Sequence, residues 1–403
     1  MQIRKIFFLT FLLATQTIHI KASFVGSFQQ VAGSPFAAGN SPAWSEFTPL
    51  VSGNMFVGVP NYNDASVTMY SLNQTTGFLT QVTGSPFATG NQPAFLRFSP
   101  LVSGNVFAGV VNHNDDNVSV YLLNQSTGAL APVTGSPFPT GAGPYGIDFS
   151  LASGTLLCAI CNAGDSTLVT YTVNQSTGEF FAVDTAATGA GTYLVAFSPV
   201  TLANKLFAAV TNEDDNTVSV FEVDQLSGLL TPVTGSPFAT GNRPIGIEFT
   251  PVVSGNLFAA VTNANDNTVS VYSVDQTTGV FSQVPGSPFP AGSDPNAIAF
   301  SPLIQGNLYA AVVNFNVLFS RSGNNGVSVY QVDQLTGAFT PLGDSPFGTG
   351  TQPDGIAYSS ILPNGKIFAV VANFGSNNTS LFEVLTQASP TCSTIPLFLT
   401  ING

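Results

Sequence analysis

The sequence predicts an all-β fold, a seven-bladed β-propeller of four-stranded antiparallel blades, and a repeated tetrapeptide is the main reason. Gly-Ser-Pro-Phe occurs at residues 33–36, 84–87, 135–138, 235–238 and 286–289, and Asp replaces Gly in a further copy at 344–347. Most copies are about 51 residues apart, and the double step from 135 to 235 contains an eroded copy, Thr185 to Thr188. Seven repeats of this period indicate a repeat architecture.

Each repeat also contains four short alternating segments bounded by Gly, Pro, Asn or Asp. In the second repeat these segments are residues 93–100, 104–111, 117–122 and 129–133. Such short segments separated by turn residues are typical of a β-meander, and one meander per repeat gives one blade.

The two chain ends decide how the ring closes. The seventh repeat shows three segments before a C-terminal tail at 385–403, and Phe28 to Val31 precedes the first tetrapeptide. We therefore predict that this N-terminal strand completes the seventh blade, which removes an exposed sheet edge. Closure by Ile395 to Thr400 is the alternative. The predicted domains are a signal peptide at 1–22 and one propeller at 23–403, with an insertion near 316–325 in the sixth repeat.

The first residues resemble a secretory signal. Arg4 and Lys5 precede an apolar run, Ile6 to Ala14, that is too short for a membrane-spanning helix. We expect the protein to be exported to the periplasm, the cell surface or the medium, and no later segment is long and apolar enough to span a membrane.

Charge excludes one class of partner. Only 7% of residues are charged, and the formal net charge is −13. Removal of the first 22 residues leaves five basic and 21 acidic residues, a formal charge of −16. Because this surface repels phosphate backbones, we expect no nucleic-acid partner.

The chain has few of the histidine and cysteine residues that several kinds of catalytic site require. His113 is the only histidine after the signal, which argues against a zinc site or a histidine-dependent triad. Cys158 and Cys161 lie three residues apart in a predicted strand, too far for a disulfide, and are interpreted as core residues. Cys392 in the tail could be free or intermolecular. We predict no cofactor and a monomer.

The phrase from Asn267 to Gly279, together with Gly-Ser-Pro-Phe, resembles secreted propellers of the lactonase type and the related YVTN-type repeats. The resemblance covers nearly all of residues 24–384. It implies a seven-bladed propeller with relatives that include 6-phosphogluconolactonase-like enzymes and exported proteins with no known reaction. No catalytic motif of those enzymes aligns residue by residue.

One repeat position on the innermost strands is enriched in charge. It holds Glu46, Arg97, Asp148, Ala196, Glu248, Ala299 and Ala357. Three acids and an arginine around the channel could polarise a small substrate and activate water, with Arg97 stabilising an oxyanion. Alternatively, these groups pair with one another and serve the structure. Glu46, Arg97, Asp148 and Glu248 are therefore candidates, with no catalytic residue assigned.

A second set of acids lies in the loops between the second and third strands. These residues are Asp64, Asp115, Asp165, Asp215 and Asp266. Clustered carboxylates are calcium ligands, but Asp also favours tight turns, and the turn interpretation is preferred.

The same face of a propeller carries the loop that follows Gly-Ser-Pro-Phe. That face would gather candidate binding residues from several repeats and from the insertion: Arg243, Asp294, Asp354, Phe315, Phe319 and Arg321. Exposed apolar side chains in a non-repeating loop suit a partner contact, although the loop could instead fold onto its own blade.

The sequence thus supports two functions. The preferred one is an exported propeller that binds an unidentified protein or small molecule. The alternative is a lactonase-type, 6-phosphogluconolactonase-like hydrolase with its site in the central channel.

Overall fold

The computed structural model describes residues 24–315 and 326–387, which form seven antiparallel sheets packed side by side as the blades of a propeller. Its described part is built from strands and turns. The N-terminal strands β1 (Phe28–Gln30) and β2 (Phe36–Ala37) belong to the last blade. Blade 1 contains β3 (Glu46–Phe47), β4 (Phe56–Asn61), β5 (Ser66–Leu72), β6 (Leu79–Gln81) and β7 (Phe87–Ala88).

The next two blades differ in their outermost segments. Blade 2 contains β8 (Pro93–Phe98), β9 (Phe107–Asn112), β10 (Asn117–Leu123), β11 (Leu130–Pro132) and β12 (Phe138–Pro139). Blade 3 contains β13 (Pro144–Ala152), β14 (Thr155–Asn162), β15 (Thr167–Val173) and β16 (Phe180–Ala187).

Blades 4 and 5 repeat the pattern of blade 2. Blade 4 contains β17 (Thr192–Phe197), β18 (Phe207–Asn212), β19 (Thr217–Val223), β20 (Leu230–Pro232) and β21 (Phe238–Ala239). Blade 5 contains β22 (Pro244–Phe249), β23 (Phe258–Asn263), β24 (Thr268–Val274), β25 (Phe281–Gln283) and β26 (Phe289–Pro290).

The last two blades complete the ring. Blade 6 contains β27 (Pro295–Phe300), β28 (Leu308–Asn314), β29 (Gly326–Val332) and β30 (Phe339–Pro341). Blade 7 contains β31 (Pro353–Tyr358), β32 (Ile367–Asn373), β33 (Asn378–Val384) and, as its outer strand, β1.

The predicted closure by the N-terminal strand is confirmed. Strand β1 pairs antiparallel with β33, with Phe28 opposite Val384. The residues of the alternative closing strand, the signal sequence and Cys392 lie outside the described residues. A ring closed in this way joins the two ends of the chain within one sheet.

The Gly-Ser-Pro-Phe tetrapeptide divides the outer strand of a blade into two pieces. In blade 1, Ser85 Oγ accepts a hydrogen bond from Met69 N at 2.8 Å, and Phe87 then pairs with Val67 on the same third strand. All six visible copies contain a cis Ser-Pro peptide bond, which the sequence did not reveal. The tetrapeptide is therefore part of the blade edge as well as the start of the crossing to the next blade.

Blade 3 shows what happens where the tetrapeptide is eroded. Its outer strand β16 runs without interruption beside β15 from Val173↔Phe180 to Thr167↔Ala187, with one bulge between Thr170 and Tyr171. Blade 3 still has four strands in the same order as the other blades. The tetrapeptide therefore shapes the outer edge but is not needed to form a blade.

The innermost strands carry a bulge that determines what faces the channel. In blade 2 the register with β9 shifts between Pro93 and Phe95, and equivalent shifts occur in blades 3 to 7. A bulge moves the following side chains to the opposite face of a strand. Consequently the second and fifth residues of these strands both point toward the channel, although simple alternation places them on opposite faces.

Candidate functional site

Three repeat positions meet at the channel mouth where the innermost strands begin. Counted back from the charged ring position of each blade (Glu46 in blade 1, Arg97 in blade 2), they are the fifth residue before it and the third residue before it, together with the residue after the Asn that ends the second strand. A backbone hydrogen bond joins the first and third positions in every blade, as from Phe315 N to Asp294 O at 2.8 Å. The side chains enclose a cavity of about 250 Å³, here called the loop-face pocket, lined by Ala43, Tyr62, Tyr145, Tyr193, Arg243, Asp294, Asn296, Phe315, Asp354 and Phe374.

Arg243 places positive charge in the wall of this pocket. Its Nε donates to Glu213 Oε1 at 2.6 Å, and Nη1 donates to Asp294 Oδ1 at 3.3 Å. Two carboxylates therefore hold the guanidinium in place. The side chain keeps 39% of its exposure and still reaches the cavity. Among the described residues, its Nη2 donates no hydrogen bond.

Asp354 is the most perturbed acid of the pocket. Burial raises its pKa to about 8, further raised by the Asp294 charge and opposed by a hydrogen bond from Asn296. Asn296 Nδ2 donates both to Asp354 Oδ1 and to the Asp354 backbone oxygen, the latter at 3.1 Å. In the described part of the chain no group donates to Oδ2. A carboxyl group with this pKa can exchange a proton near neutral pH.

Aromatic side chains form the rest of the wall. The rings of Tyr145 and Tyr193 lie 4.0 Å apart between centroids, and Tyr193 donates its hydroxyl hydrogen to Tyr145 Oη at 2.7 Å. Phe374 lies 6.2 Å from both Tyr62 and Phe315, measured between centroids. Burial raises the pKa of both Tyr145 and Tyr193, so both stay neutral. The pocket therefore offers flat apolar faces beside a few polar groups, as ligand sites commonly do.

The predicted ring of charges lies toward the other end of the same strands and forms what we call the Arg97 cluster (Glu46, Arg97, Asp148 and Glu248). Arg97 Nη1 lies 2.6 Å from Glu46 Oε2, and its Nε lies 3.2 Å from Asp148 Oδ1. Its Nη2 lies 3.5 Å from Glu248 Oε2. All three nitrogens of the guanidinium thus face a carboxylate. The cluster lines an open cavity of about 390 Å³.

Burial dominates the electrostatics of the Arg97 cluster. Burial raises the pKa of Glu248 to about 7; Arg97 opposes this, while Asp148 and Glu46 add to it. The pKa values of Glu46 and Asp148 are also raised, first by burial, with Arg97 opposing. One guanidinium does not fully compensate three carboxylates that keep between 14% and 27% of their exposure. The geometry suits an ion-pair cluster, and a catalytic role for these four residues stays a prediction.

The candidate binding residues on the loop face come together in part. Arg243, Asp294, Asp354 and Phe315 line one cavity, although they belong to three different repeats. Phe319, Arg321 and the rest of the insertion lie outside the described residues. Binding at this face stays a prediction.

The candidate calcium ligands make a different contact from the expected one. Instead of bonding their own turn, they accept hydrogen bonds from the loop that enters the blade, as when Asn40 N donates to Asp64 Oδ2 at 2.6 Å. The other four accept equivalent bonds from Asn91, Ala142, Ala190 and Asn242. In residues 24–315 and 326–387 no group of three or more His, Cys, Asp or Glu side chains is arranged for a metal ion.

His113 and the two cysteines of blade 3 lie outside both candidate sites. His113 Nδ1 lies 3.3 Å from Pro144 O, and its ring packs edge-on against Tyr145 behind the pocket wall. Cys158 and Cys161 are buried and free. No helix in the described part of the chain could span a membrane.

Sequence analysis missed Tyr62, Tyr145, Tyr193, Asn296 and Phe374. A signal was present in the residue three positions before each member of the charged ring. These residues are Ala43, Ala94, Tyr145, Tyr193, Ile245, Asn296 and Asp354. That series changes from small to aromatic to polar around the ring, whereas a purely structural position would hold similar residues in all blades.

The comparisons with known proteins agree with this architecture. The sequence model of the family described as "Lactonase, 7-bladed beta-propeller" matches residues 30–300, more than half of the chain. A comparison with curated proteins gives no match.

Solved structures share the fold at low sequence identity. A putative 6-phosphogluconolactonase from Bacteroides uniformis is 19% identical with a TM-score of 0.60, covering 76% of this chain and 86% of that one. A putative 6-phosphogluconolactonase from Bacteroides fragilis is 19% identical with a TM-score of 0.59, covering 78% and 86%. Hydrazine synthase from Kuenenia stuttgartiensis is 17% identical with a TM-score of 0.58, covering 89% and 100%.

Proposed function

Because the chain belongs to the lactonase seven-bladed β-propeller family, we propose that it is a lactone hydrolase that acts in the loop-face pocket. The observation that carries the proposal is the combination of Arg243 and Asp354 in one aromatic-walled cavity. Hydrolysis of a cyclic ester needs a group that takes a proton from water and a group that stabilises the oxyanion. Asp354 and Arg243 can fill these two roles.

The proposed reaction is balanced without any further reactant. The ionised Asp354 Oδ2 accepts a proton from water as the water oxygen bonds to the lactone carbonyl carbon. Arg243 stabilises the negative charge on the carbonyl oxygen. The bond between that carbon and the ring oxygen then breaks, and Asp354 returns the proton to the leaving oxygen. The product is a hydroxy acid.

The Arg97 cluster is a weaker candidate for the same reaction. Each of its guanidinium nitrogens already faces a carboxylate within 3.5 Å. A substrate oxyanion would have to displace one of these partners and leave it unpaired, which is costly in a partly buried site. The active site therefore lies at the opposite mouth of the channel from the charged ring that the sequence singled out.

The test is lactone hydrolysis by the purified protein and by Asp354→Asn, with spontaneous hydrolysis subtracted. We expect kcat/KM of the variant to fall by about 10² to 10⁴, because a general base is lost. A matched control is Asp224→Asn, which changes the same functional group in an outer turn where equivalent repeats have Asn73, Asn124 and Asn174. Equal activity of wild type and Asp354→Asn would refute the assignment.

A second candidate function is binding without turnover at the same pocket. The aromatic rim formed by Tyr62, Phe315 and Phe374 favours it, because such faces hold ring-shaped ligands or apolar side chains of a partner. Calorimetric binding of a lactone that the protein does not hydrolyse would support this second function.

We also propose that the protein is exported. The support is the sequence of Arg4, Lys5 and the apolar run from Ile6 to Ala14. N-terminal sequencing of the protein recovered outside the cytoplasm should give a chain that begins near residue 23. Retention of Met1 in that fraction would contradict the proposal.

A further inference from the structure

Every lysine and arginine side chain in the described part of the chain is engaged by a carboxylate. Lys205 Nζ lies 2.5 Å from Glu222 Oε1, and Lys366 Nζ lies 2.7 Å from Glu383 Oε2. Arg97 faces three carboxylates, and Arg243 faces two. A phosphate group would therefore find no cationic side chain among them whose charge is not already offset by a carboxylate, and cationic side chains are the usual partners of phosphate.

The loop-face pocket carries more negative than positive charge. Three charged side chains line it, Arg243, Asp294 and Asp354. Glu213 does not line the cavity but is paired with Arg243 at 2.6 Å. The four groups together carry a net charge of −2 when all are ionised and −1 when Asp354 is protonated. These groups lie in a partly buried wall, where charge is screened less than on an open surface. An anionic ligand entering the cavity is therefore repelled in either state of Asp354.

The remaining wall suits a neutral ring. The tyrosine pair at 4.0 Å and the aromatic rim present flat faces, and the amide of Asn296 and the tyrosine hydroxyls provide uncharged polar contacts. Flat faces of this kind stack on the apolar face of a ring, while amide and hydroxyl groups orient its oxygens.

We propose that the loop-face pocket selects an uncharged lactone and rejects both a phosphorylated lactone and the hydroxy acid formed by hydrolysis. The inference rests on the proposed function. Hydrolysis converts a neutral ester into a carboxylate and a proton, so the product becomes an anion inside a cavity that repels anions. The charge that selects the substrate thus also favours release of the product.

The test measures binding without turnover by isothermal titration calorimetry. Three ligands are compared: a six-membered sugar lactam, which lacks the ester; the same lactam with a 6-phosphate; and the corresponding open-chain hydroxy acid. We expect the neutral lactam to bind at least about tenfold more tightly than either anion at low salt, with the difference shrinking in high salt.

Charge-removing variants make the test specific. The double variant Glu213→Gln, Asp294→Asn should reduce the discrimination to about threefold or less, because Arg243 then faces two neutral amides. The control Glu222→Gln removes a carboxylate from the outer ion pair with Lys205 and should keep the wild-type discrimination. Equal or tighter binding of the phosphorylated lactam by wild type, or no binding of the neutral lactam, would overturn the inference.

The outcome is separable from that of the proposed function. Selective lactam binding without hydrolysis of any lactone would reject the enzyme and keep the charge selection. Hydrolysis of neutral and phosphorylated lactones with equal kcat/KM would keep the enzyme and reject the selection.

Discussion

The two ends of the channel contain the same charged groups in different arrangements. Each combines one arginine with three carboxylates: Arg97 with Glu46, Asp148 and Glu248, and Arg243 with Glu213, Asp294 and Asp354. In the Arg97 cluster all three acids face the guanidinium. In the loop-face pocket two do, and the third, Asp354, is bonded by Asn296 instead. Composition alone therefore does not separate an ion-pair cluster from a reactive site, whereas the position of the third carboxylate does.

The largest expected effect comes from removing the arginine of the Arg97 cluster. Arg97→Met leaves three partly buried carboxylates without a counter-charge, and we expect the free energy of unfolding at pH 8 to fall by about 3 kcal/mol. Urea unfolding measures the change, and lowering the pH to 5 should recover part of it as the acids protonate. Unchanged stability, together with loss of lactone hydrolysis, would instead identify this end of the channel as the active site.

The equivalent change at the other end should affect catalysis more than stability. Arg243→Met removes the proposed oxyanion partner, and we expect kcat/KM for a lactone to fall by about 10², the usual cost of one such donor. Because Arg243 keeps 39% of its exposure, its ion pairs contribute about 1 kcal/mol at most to stability. Lys366→Met, which breaks an outer ion pair, is the control for activity. A large stability loss with normal kcat/KM would reverse the two roles.

The pH dependence of stability separates the two acids with the most strongly raised pKa values. Burial raises the pKa of Glu248 to about 7, so between its ordinary value and 7 the folded protein binds a proton that the unfolded chain has released. Stability should therefore fall as pH rises across this window, by about 3 kcal/mol. Asp354 should also make stability fall as pH rises, and its effect should extend up to about pH 8, because burial raises its pKa to about 8.

Single variants show which acid causes each part of the dependence of stability on pH. Urea unfolding between pH 5 and 9 should give a flatter profile below pH 7 for Glu248→Gln, and a flatter profile up to about pH 8 for Asp354→Asn. A slope that is the same in wild type and both variants would show that neither acid has the raised pKa. If Asp354 is the catalytic base, kcat/KM of wild type rises with pH as this carboxyl ionises, the opposite direction from stability.

The smallest expected effect is at the tyrosine pair. Tyr193→Phe removes the hydroxyl that donates to Tyr145 at 2.7 Å but keeps the stacked ring. Because this hydrogen bond orients Tyr145 in the pocket wall, its loss should weaken ligand binding by at most about 1 kcal/mol, so KM should rise by up to about fivefold with little change in kcat. A similar tyrosine far from the pocket, Tyr330, provides the control variant Tyr330→Phe. No change in KM would place the pair outside the binding surface.

The fold could be predicted from the sequence because the same pattern of strand segments and turn residues recurs in each of the seven repeats. The tetrapeptide, the four segments and the missing strand of the seventh repeat together predicted the blades and their closure by residues 28–31. The Arg97 cluster could be found as well, since its members share one position before a repeated phenylalanine.

The loop-face pocket was only partly predictable, for a physical reason. Alternation along a strand places Asp148 and Tyr145, three residues apart, on opposite faces, and only the bulge brings both toward the channel. Bulges depend on how two strands pair, which a single strand's sequence does not show. Arg243 and Asp294 were recognised because they lie in loops, where no alternation had to be assumed.

The seam in blade 7 bears on how the chain is made. Leu381 N donates a hydrogen bond to Ser34 Oγ, across 347 residues of sequence. During translation Ser34 leaves the ribosome long before Leu381 is synthesised, because chain elongation proceeds at roughly 5 to 20 residues per second. The segment from Phe28 to Phe36 therefore stays without its partner until β33 has been synthesised. The ring cannot close before that point, and until then the unpaired edge of the N-terminal strand is open to chaperones and to other chains.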